Sequence, residues 1–341
     1  MIRRLFVAGL LLACFWGAPG EAAAAPAAEG FGACAMIADD AARLRCYDGA
    51  AGREPNIAEI RTETAPEAPP EGAEKTPPSY LSAKWQLDEQ SRRRRFAIMP
   101  YRANYILPFT HNFSQDKEAY QSANPGTKLQ DTEIKYQLSL KVKLWEGILG
   151  EKMDLWFGYT QASFWQFYNT EFSSPFRETN YEPEILLNFR TDADLFGLLR
   201  NRFIQVGYNH QSNGRGAPLS RSWNRVTANF GFEQGGLDLT LKTWLRIPEN
   251  AGKDDNRDIS AYLGYGEIWA GYRWKDYHLA AMFRNNLRFG ENRSALQIEL
   301  SFPLIEHLNG YFHYFAGFGE SLLDYNRYAN RIGFGILVKD W

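Results

Sequence analysis

From residue 96 onward the apolar positions of the chain recur every second residue. In residues 135–144 the even positions hold Tyr136, Leu138, Leu140, Val142 and Leu144, opposed by Lys135, Gln137, Ser139, Lys141 and Lys143. Residues 237–247 repeat the pattern, with Leu237, Leu239, Leu241, Leu245 and Ile247 against Asp238, Thr240, Lys242 and Arg246. So do residues 293–302, where Leu296, Ile298, Leu300 and Phe302 oppose Arg293, Gln297 and Glu299. A period of two predicts strands with one apolar and one polar face. There are about twelve such segments of about ten residues, the length a tilted strand needs to cross hydrocarbon. The expected connections alternate between short and long. Short ones fall near Glu146-Gly147, Gln234-Gly235-Gly236, Lys275-Asp276 and Pro303; long ones at residues 108–131, 167–180, 248–258 and 320–328. Short turns at one end, long loops at the other and an even strand number predict an all-β fold, a twelve-stranded antiparallel transmembrane β-barrel over 96–341. Closure into a barrel removes the sheet edges that lipid cannot satisfy. Near the C-terminus Phe334, Ile336 and Val338 have the opposite parity to Trp341, which leaves the register of the last strand open.

The chain before residue 96 reads differently. Arg3 and Arg4 precede an apolar stretch over 5–16 and the small residues Ala22-Ala23-Ala24, the layout of an export signal over 1–24. Two cysteines then remain, Cys34 and Cys46, twelve residues apart in a helix-prone stretch. In an exported chain that spacing suggests a local disulfide closing a small periplasmic segment over 25–54. Residues 55–78 carry six of the 16 prolines among Glu, Ala and Thr. Such a composition cannot bury enough apolar surface to offset its ordering entropy, so 55–95 is expected to be a Pro-rich linker. Arg92 to Arg95 end it as a basic run, expected to face solvent or headgroups.

Composition narrows the partners. The 341 residues carry 38 basic and 40 acidic side chains, a net charge of -2, which gives no electrostatic case for nucleic acid. Beyond the N-terminus no apolar run approaches the length of a membrane-spanning helix. Aromatic residues stand out at 15%, with 18 Tyr, 23 Phe and 10 Trp.

One hairpin carries chemistry. In residues 207–225, GYNHQSNGRGAPLSRSWNR, His210 and Ser212 share the parity of Ile204, Val206 and Tyr208, and Asn224 shares that of Val226, Ala228, Phe230 and Phe232. All three therefore fall on the lipid-facing surface, while Trp223, Arg225, Thr227 and Asn229 face inward. Pairing His210 with Asn224 brings Ser212 opposite Ser222 and puts the three side chains within reach of one another. A polar trio facing lipid is costly as scaffold. As chemistry it supplies a nucleophile in Ser212, a base in His210 and, in Asn224, an acceptor that fixes the imidazole tautomer. The backbone N–H groups of Ser212 and Gly214 are candidates to face an oxyanion. The other histidines, His111, His278, His307 and His313, show no metal-ligand spacing.

This stretch resembles the active-site segment of the outer membrane phospholipase A family, with the pattern YxHxSNGxxxxxSRSWNR. The block SSPFRETNYEP at residues 173–183, GYTQ at 158–161 and GESLLDYN at 319–326 are similar to the same family. The resemblance implies a twelve-stranded barrel that hydrolyses acyl esters of membrane phospholipids, at either acyl position, and of lysophospholipids. It implies His210, Ser212 and Asn224 as catalytic residues, a requirement for calcium, and activity as a homodimer. The implied calcium ligands are the Ser220 side chain, the Arg215 carbonyl and Ser173 supplied by the partner subunit. Oxygen ligands of this kind are what calcium prefers. Gln161 falls on a polar dimer-interface position within the membrane. Ala217 stands where some relatives carry Asp, so a second calcium site within one monomer is not implied, although Asp255 is present.

The competing expectation is a barrel without enzymatic activity, a pore or structural protein, whose inward Lys141, Lys143, Arg225 and Arg246 line water. Those mixed charges can equally fill a narrow lumen as ion pairs.

Overall fold

The computed structural model describes residues 31–52, 79–93, 95–250, 252 and 254–339. The export signal expected over 1–24 and most of the Pro-rich segment lie outside these residues.

The chain divides into two units, residues 1–74 and 75–341. In the first, α1 (Phe31–Ala35) and α2 (Asp40–Ala50) are joined by a Cys34–Cys46 disulfide. The Asp39 side chain caps α2 by accepting from the Ala42 N–H at 2.7 Å.

The second unit is the barrel. Two strand pieces, β1 (Ile98–Pro100) and β2 (Asn104–Asn112), both pair with β3 (Thr132–Gly147) and together make the first stave. The others are β4 (Met153–Trp165), β5 (Phe176–Leu195), β6 (Leu199–Ser212), β7 (Ser222–Gln234), β8 (Leu237–Ile247), β9 (Gly266–Trp274), β10 (Tyr277–Asn285), β11 (Ser294–Ile305), β12 (Leu308–Phe318) and β13 (Tyr328–Val338). Each pairs antiparallel with its neighbours, and β13 returns to β2 with Phe334 opposite Phe109. The sheet is a closed barrel of twelve staves. No described helix is long and apolar enough to cross a membrane. Exposed Leu138, Ile185, Val206, Leu245 and Ile268 mark the lipid face. Trp274 stacks on Tyr272 and Tyr277 at the short-turn rim, while Trp165 stacks on Phe176 at the other, as aromatic girdles do.

The lumen is filled. Buried Glu133 pairs with Arg177 and Arg331, each at 2.9 Å; Glu320 holds Arg331 at 2.9 Å and Lys135 at 3.0 Å. Lower down, Arg102 grips Glu182 through both terminal nitrogens at 2.8 and 3.0 Å and reaches Glu184 at 3.0 Å. Arg225 joins them through Glu182 at 3.2 Å. Of the inward charges read from the sequence, Lys143, Arg225 and Arg246 are ion-paired, and Lys141 lies over the Trp85 ring. Between these clusters lies a cavity of about 480 Å³ bounded by Trp85, Arg102, Glu182, Lys242 and Glu267.

Two expectations need correction. The linker does not run to residue 95: residues 80–85 form a helix, α3 (Tyr80–Trp85), that belongs to the barrel unit. Ser79 caps it, and Leu81 and Trp85 are buried with Met99, Tyr101, Trp156, Leu186 and Phe203 in an apolar layer at the short-turn end. Burial of two large side chains outweighs the weak helical signal of six residues. Pro303 marks no turn. It lies inside β11 beside a register shift, where a missing N–H is tolerated, and the chain turns at Glu306-His307.

Candidate active site

The hairpin β6–β7 keeps an unbroken register toward its open end: Tyr208 opposite Val226, His210 opposite Asn224, Ser212 opposite Ser222. Beyond it the Asn213 N–H donates to the Arg221 carbonyl at 3.0 Å. Alternation along an antiparallel ladder then makes 212/222 and 210/224 the pairs without mutual backbone bonds, whose side chains stand closest. Asn209, Trp223 and Arg225 are buried, whereas His210, Ser212 and Asn224 are half-buried on the opposite, outward face beside exposed Val206, Tyr208 and Val226. The trio lies at the end of the barrel that carries the long loops, which in outer-membrane barrels is the extracellular end.

The His210 Nδ1 to Asn224 Oδ1 distance is 2.8 Å. The Tyr208 hydroxyl donates to the same oxygen at 2.6 Å, and the Asn224 amide nitrogen donates to Glu249 Oε1 at 3.1 Å. With Oδ1 accepting, Nδ1 carries the proton and the Nε2 lone pair is left free. An imidazole so held, with a hydroxyl two residues along the same strand face, is suited to deprotonating that hydroxyl.

Residues 81–338 match the Phospholipase A1 family. The chain belongs to that family. The phospholipase A1 of Escherichia coli (strain K12) is 40% identical over 251 residues, covering 74% of this chain and 84% of the relative. Among solved structures, an active-site mutant of outer membrane phospholipase A from Escherichia coli, with an asparagine changed to alanine, superposes with a TM-score of 0.69 at 38% identity, over 76% of this chain and 97% of its own. A Salmonella typhi outer membrane phospholipase dimer with bound calcium also gives 0.69, at 37% identity, over 76% and 97%. As a member of the phospholipase A1 family the chain is an enzyme of the outer membrane, which removes the pore or purely structural reading.

The remaining residues singled out in the sequence lie on this same wall. Arg215 and Ser220 sit in the β6–β7 loop, which buried Asn213 organises. Its Oδ1 accepts from the Arg215 and Arg221 N–H groups at 3.3 and 3.0 Å, and its amide donates to the Leu219 carbonyl at 2.8 Å. Gly214 takes a left-handed φ of 64°, and a Cβ there would stand 3.1 Å from the Tyr181 ring. The Arg215 guanidinium donates to the Phe176 and Arg177 carbonyls, each at 2.8 Å, stapling the loop to the start of β5. Ser173 lies three residues before β5, left-handed at φ 58°. Gln161 points outward on β4, accepting from the Tyr159 hydroxyl at 3.0 Å and donating to Ser163 Oγ at 3.3 Å.

Sequence reasoning missed Tyr208, Asn213 and Glu249. Tyr208 was legible by parity, two positions before His210. Glu249 was hidden because it follows Pro248, beyond the end of β8, in what read as loop.

Proposed function

We propose that the chain hydrolyses the acyl esters of phospholipids and lysophospholipids at the outer face of the barrel, with Ser212, His210 and Asn224 as its triad. The observation that carries this reading is the 2.8 Å His210–Asn224 contact on the lipid-facing surface, with Ser212 next on the same strand face. His210 Nε2 takes the hydroxyl proton as Ser212 Oγ bonds to the ester carbonyl carbon. Asn224 holds the Nδ1 proton as the ring becomes cationic. The N–H groups of Ser212 and Gly214 receive the oxyanion. Collapse breaks the ester bond, His210 protonates the departing alkoxide, and an acyl-Ser212 remains. His210 then deprotonates a water, which releases the fatty acid and regenerates Ser212.

Calcium fits the donors present. The Ser220 hydroxyl and the Arg215 carbonyl are the hard, neutral oxygens that calcium accepts as ligands. Ser220 Oγ, the Arg215 carbonyl and Ser173 from a second copy of the chain would hold it. When bound, the ion would share the negative charge that develops on the oxyanion. The calcium-bound dimer among its relatives supports a homodimer here, with Gln161 at the interface.

Fatty-acid release from mixed micelles, measured with calcium or chelator, tests the reading. Ser212→Ala should lower kcat at least about 10³-fold, and chelation should abolish turnover by the unmodified enzyme. A Ser212→Ala enzyme that keeps its rate would overturn the assignment.

A further inference from the structure

We infer that Glu249 is a positioning residue: its carboxylate fixes which end of the Asn224 amide faces His210, and so sets the tautomer of the imidazole. This rests on the triad reading above and adds a fourth member to it.

The inference follows from donor and acceptor capacity. Asn224 meets three partners, Tyr208 Oη at 2.6 Å, His210 Nδ1 at 2.8 Å and Glu249 Oε1 at 3.1 Å. An amide can be turned over, exchanging its oxygen and nitrogen at almost no cost in shape. Two of the three partners would tolerate that exchange. The Tyr208 hydroxyl rotates and can accept instead of donate, and a neutral imidazole can place its proton on either nitrogen. The turned-over amide would present N–H to Nδ1, which must then be the acceptor, and would move the ring proton to Nε2. That tautomer cannot take a proton from Ser212. Only Glu249 discriminates. An ionised carboxylate has no proton to donate, so the turned-over amide would set Oδ1 against Oε1, two acceptors with no hydrogen between them.

The backbone brings Glu249 there. Ile247, the last residue of β8, pairs with Asn224. Side chains alternate, so residue 249 falls on the same outward face as Leu245 and Ile247, one step beyond Asn224 toward the open end. Pro248 between them has no N–H to continue the ladder, and the chain leaves the sheet there with the Glu249 side chain beside the asparagine.

The test separates orientation from packing. Glu249→Gln keeps the size and shape of the side chain but can donate as well as accept, so it no longer selects one amide orientation. With the two orientations then comparably populated, kcat should fall about two- to fivefold with KM unchanged; a space-filling role would leave Glu249→Gln at the normal rate. The complementary variant is Asn224→Asp, which sets two carboxylates side by side and should be strongly impaired. Combining Asn224→Asp with Glu249→Gln reverses donor and acceptor along the chain, and should recover at least about tenfold over Asn224→Asp alone. Inactivation by a sulfonyl fluoride should track kcat, and the half-saturating calcium concentration of Glu249→Gln should not move. Folding is checked for each variant by the faster migration of unheated barrels on gels, and by detergent-phase circular dichroism. The inference is overturned by Glu249→Gln at full rate, by a double variant no better than Asn224→Asp, or by a shifted calcium requirement, which would make Glu249 a cation ligand. Ser212→Ala run alongside keeps the two readings apart. If it retains activity the triad fails and Glu249 with it; if it is inactive while Glu249→Gln is normal, only the Glu249 assignment falls.

Discussion

Truncating Trp85 to alanine should free the short helix that stops the lower end of the barrel. Trp85 is 4% exposed and meets Trp156 edge-on at 5.6 Å, Tyr101 at 5.7 Å and Phe203 at 5.7 Å, with the Lys141 ammonium 4.3 Å over its ring. Removing a buried Trp costs about 3–5 kcal/mol, and loss of the ammonium–ring contact adds up to about 2 kcal/mol. Other contacts of α3 include buried Leu81, a 3.1 Å bond from its N–H to Glu233, the Arg202 contact to Ser82 and the Arg273 guanidinium 3.3 Å over the Tyr80 ring. These contacts lie at the N-terminal part of the helix and do not replace the buried indole at its C-terminal end. The strands, closed into a ring of backbone bonds, do not depend on it. The cost should therefore appear as local opening. Amide exchange over residues 80–87 should accelerate about 10²–10³-fold, the equivalent of about 3–4 kcal/mol, while the urea midpoint of the barrel in detergent shifts little. Exchange by mass spectrometry on the folded, detergent-solubilised enzyme reads both. Unchanged exchange at 80–87 would refute the reasoning, because the helix would then be held by something other than its tryptophan.

Gly231→Ala should destabilise by about 1–3 kcal/mol, since a Cβ there would lie 2.1 Å from the Phe203 ring, which is packed on Trp85 and cannot retreat; a denaturant midpoint checks it. Arg177→Leu should cost about 3–5 kcal/mol, because Glu133 is left with one cation, Arg331, beside the neutral Gln166 amide, and Asp324 loses its 2.6 Å ion-pair partner; thermal melts of the folded barrel measure it. Glu320 lies in the loop after β12, where burial alone would raise its carboxyl but Arg331 and Lys135 hold it well below the ordinary glutamate value of 4.5. Its contribution is complete above that value and is lost as the pH falls through the lower, folded-state value. Glu320→Gln should therefore be less stable than the unmodified chain at neutral pH, with the gap closing below about pH 4.5; melts at pH 7 and 3 compare them.

The strands were legible because a polar lumen and lipid impose opposite demands on alternate residues, so Lys141 and Val142 announce their faces without any knowledge of neighbours. The outward placement of His210, Ser212 and Asn224 was legible for the same reason, because parity alone sets them on that face. What stayed hidden depends on contacts distant in sequence. The helix at Tyr80–Trp85 is too short to carry a periodic signal, and it follows a Pro-rich stretch that reads as linker; only the pocket formed by Trp156 and Phe203 makes it a buried element. Pro303 looked like a turn because proline usually interrupts a ladder, and a bulge beside Ile305 relieves it here. Glu249 lies one residue past the last alternating position, where parity stops being informative.

The placement of the site follows from what each surface can hold. A lumen crossed by Glu133, Arg177, Arg331, Glu320 and the Arg102–Glu182 cluster has no apolar path for acyl chains, and drawing a lipid into it would expose each CH₂ to polar surroundings at about 0.8 kcal/mol. Over two long chains that cost exceeds the binding free energy of most complexes. On the reading proposed here the outer wall avoids it. Val206, Tyr208, Val226 and Leu245 are exposed below the trio and can stay in contact with the chains. The ester, near the headgroup level, reaches the rim where β6 and β7 end. The polar groups of Tyr159, Gln161 and Thr179, linked through buried Ser163, would themselves be costly against lipid. A second copy of the chain covering those groups would relieve the cost and wall the acyl chains into a cleft, so the same surface that brings the substrate in also favours the assembly that would complete the site.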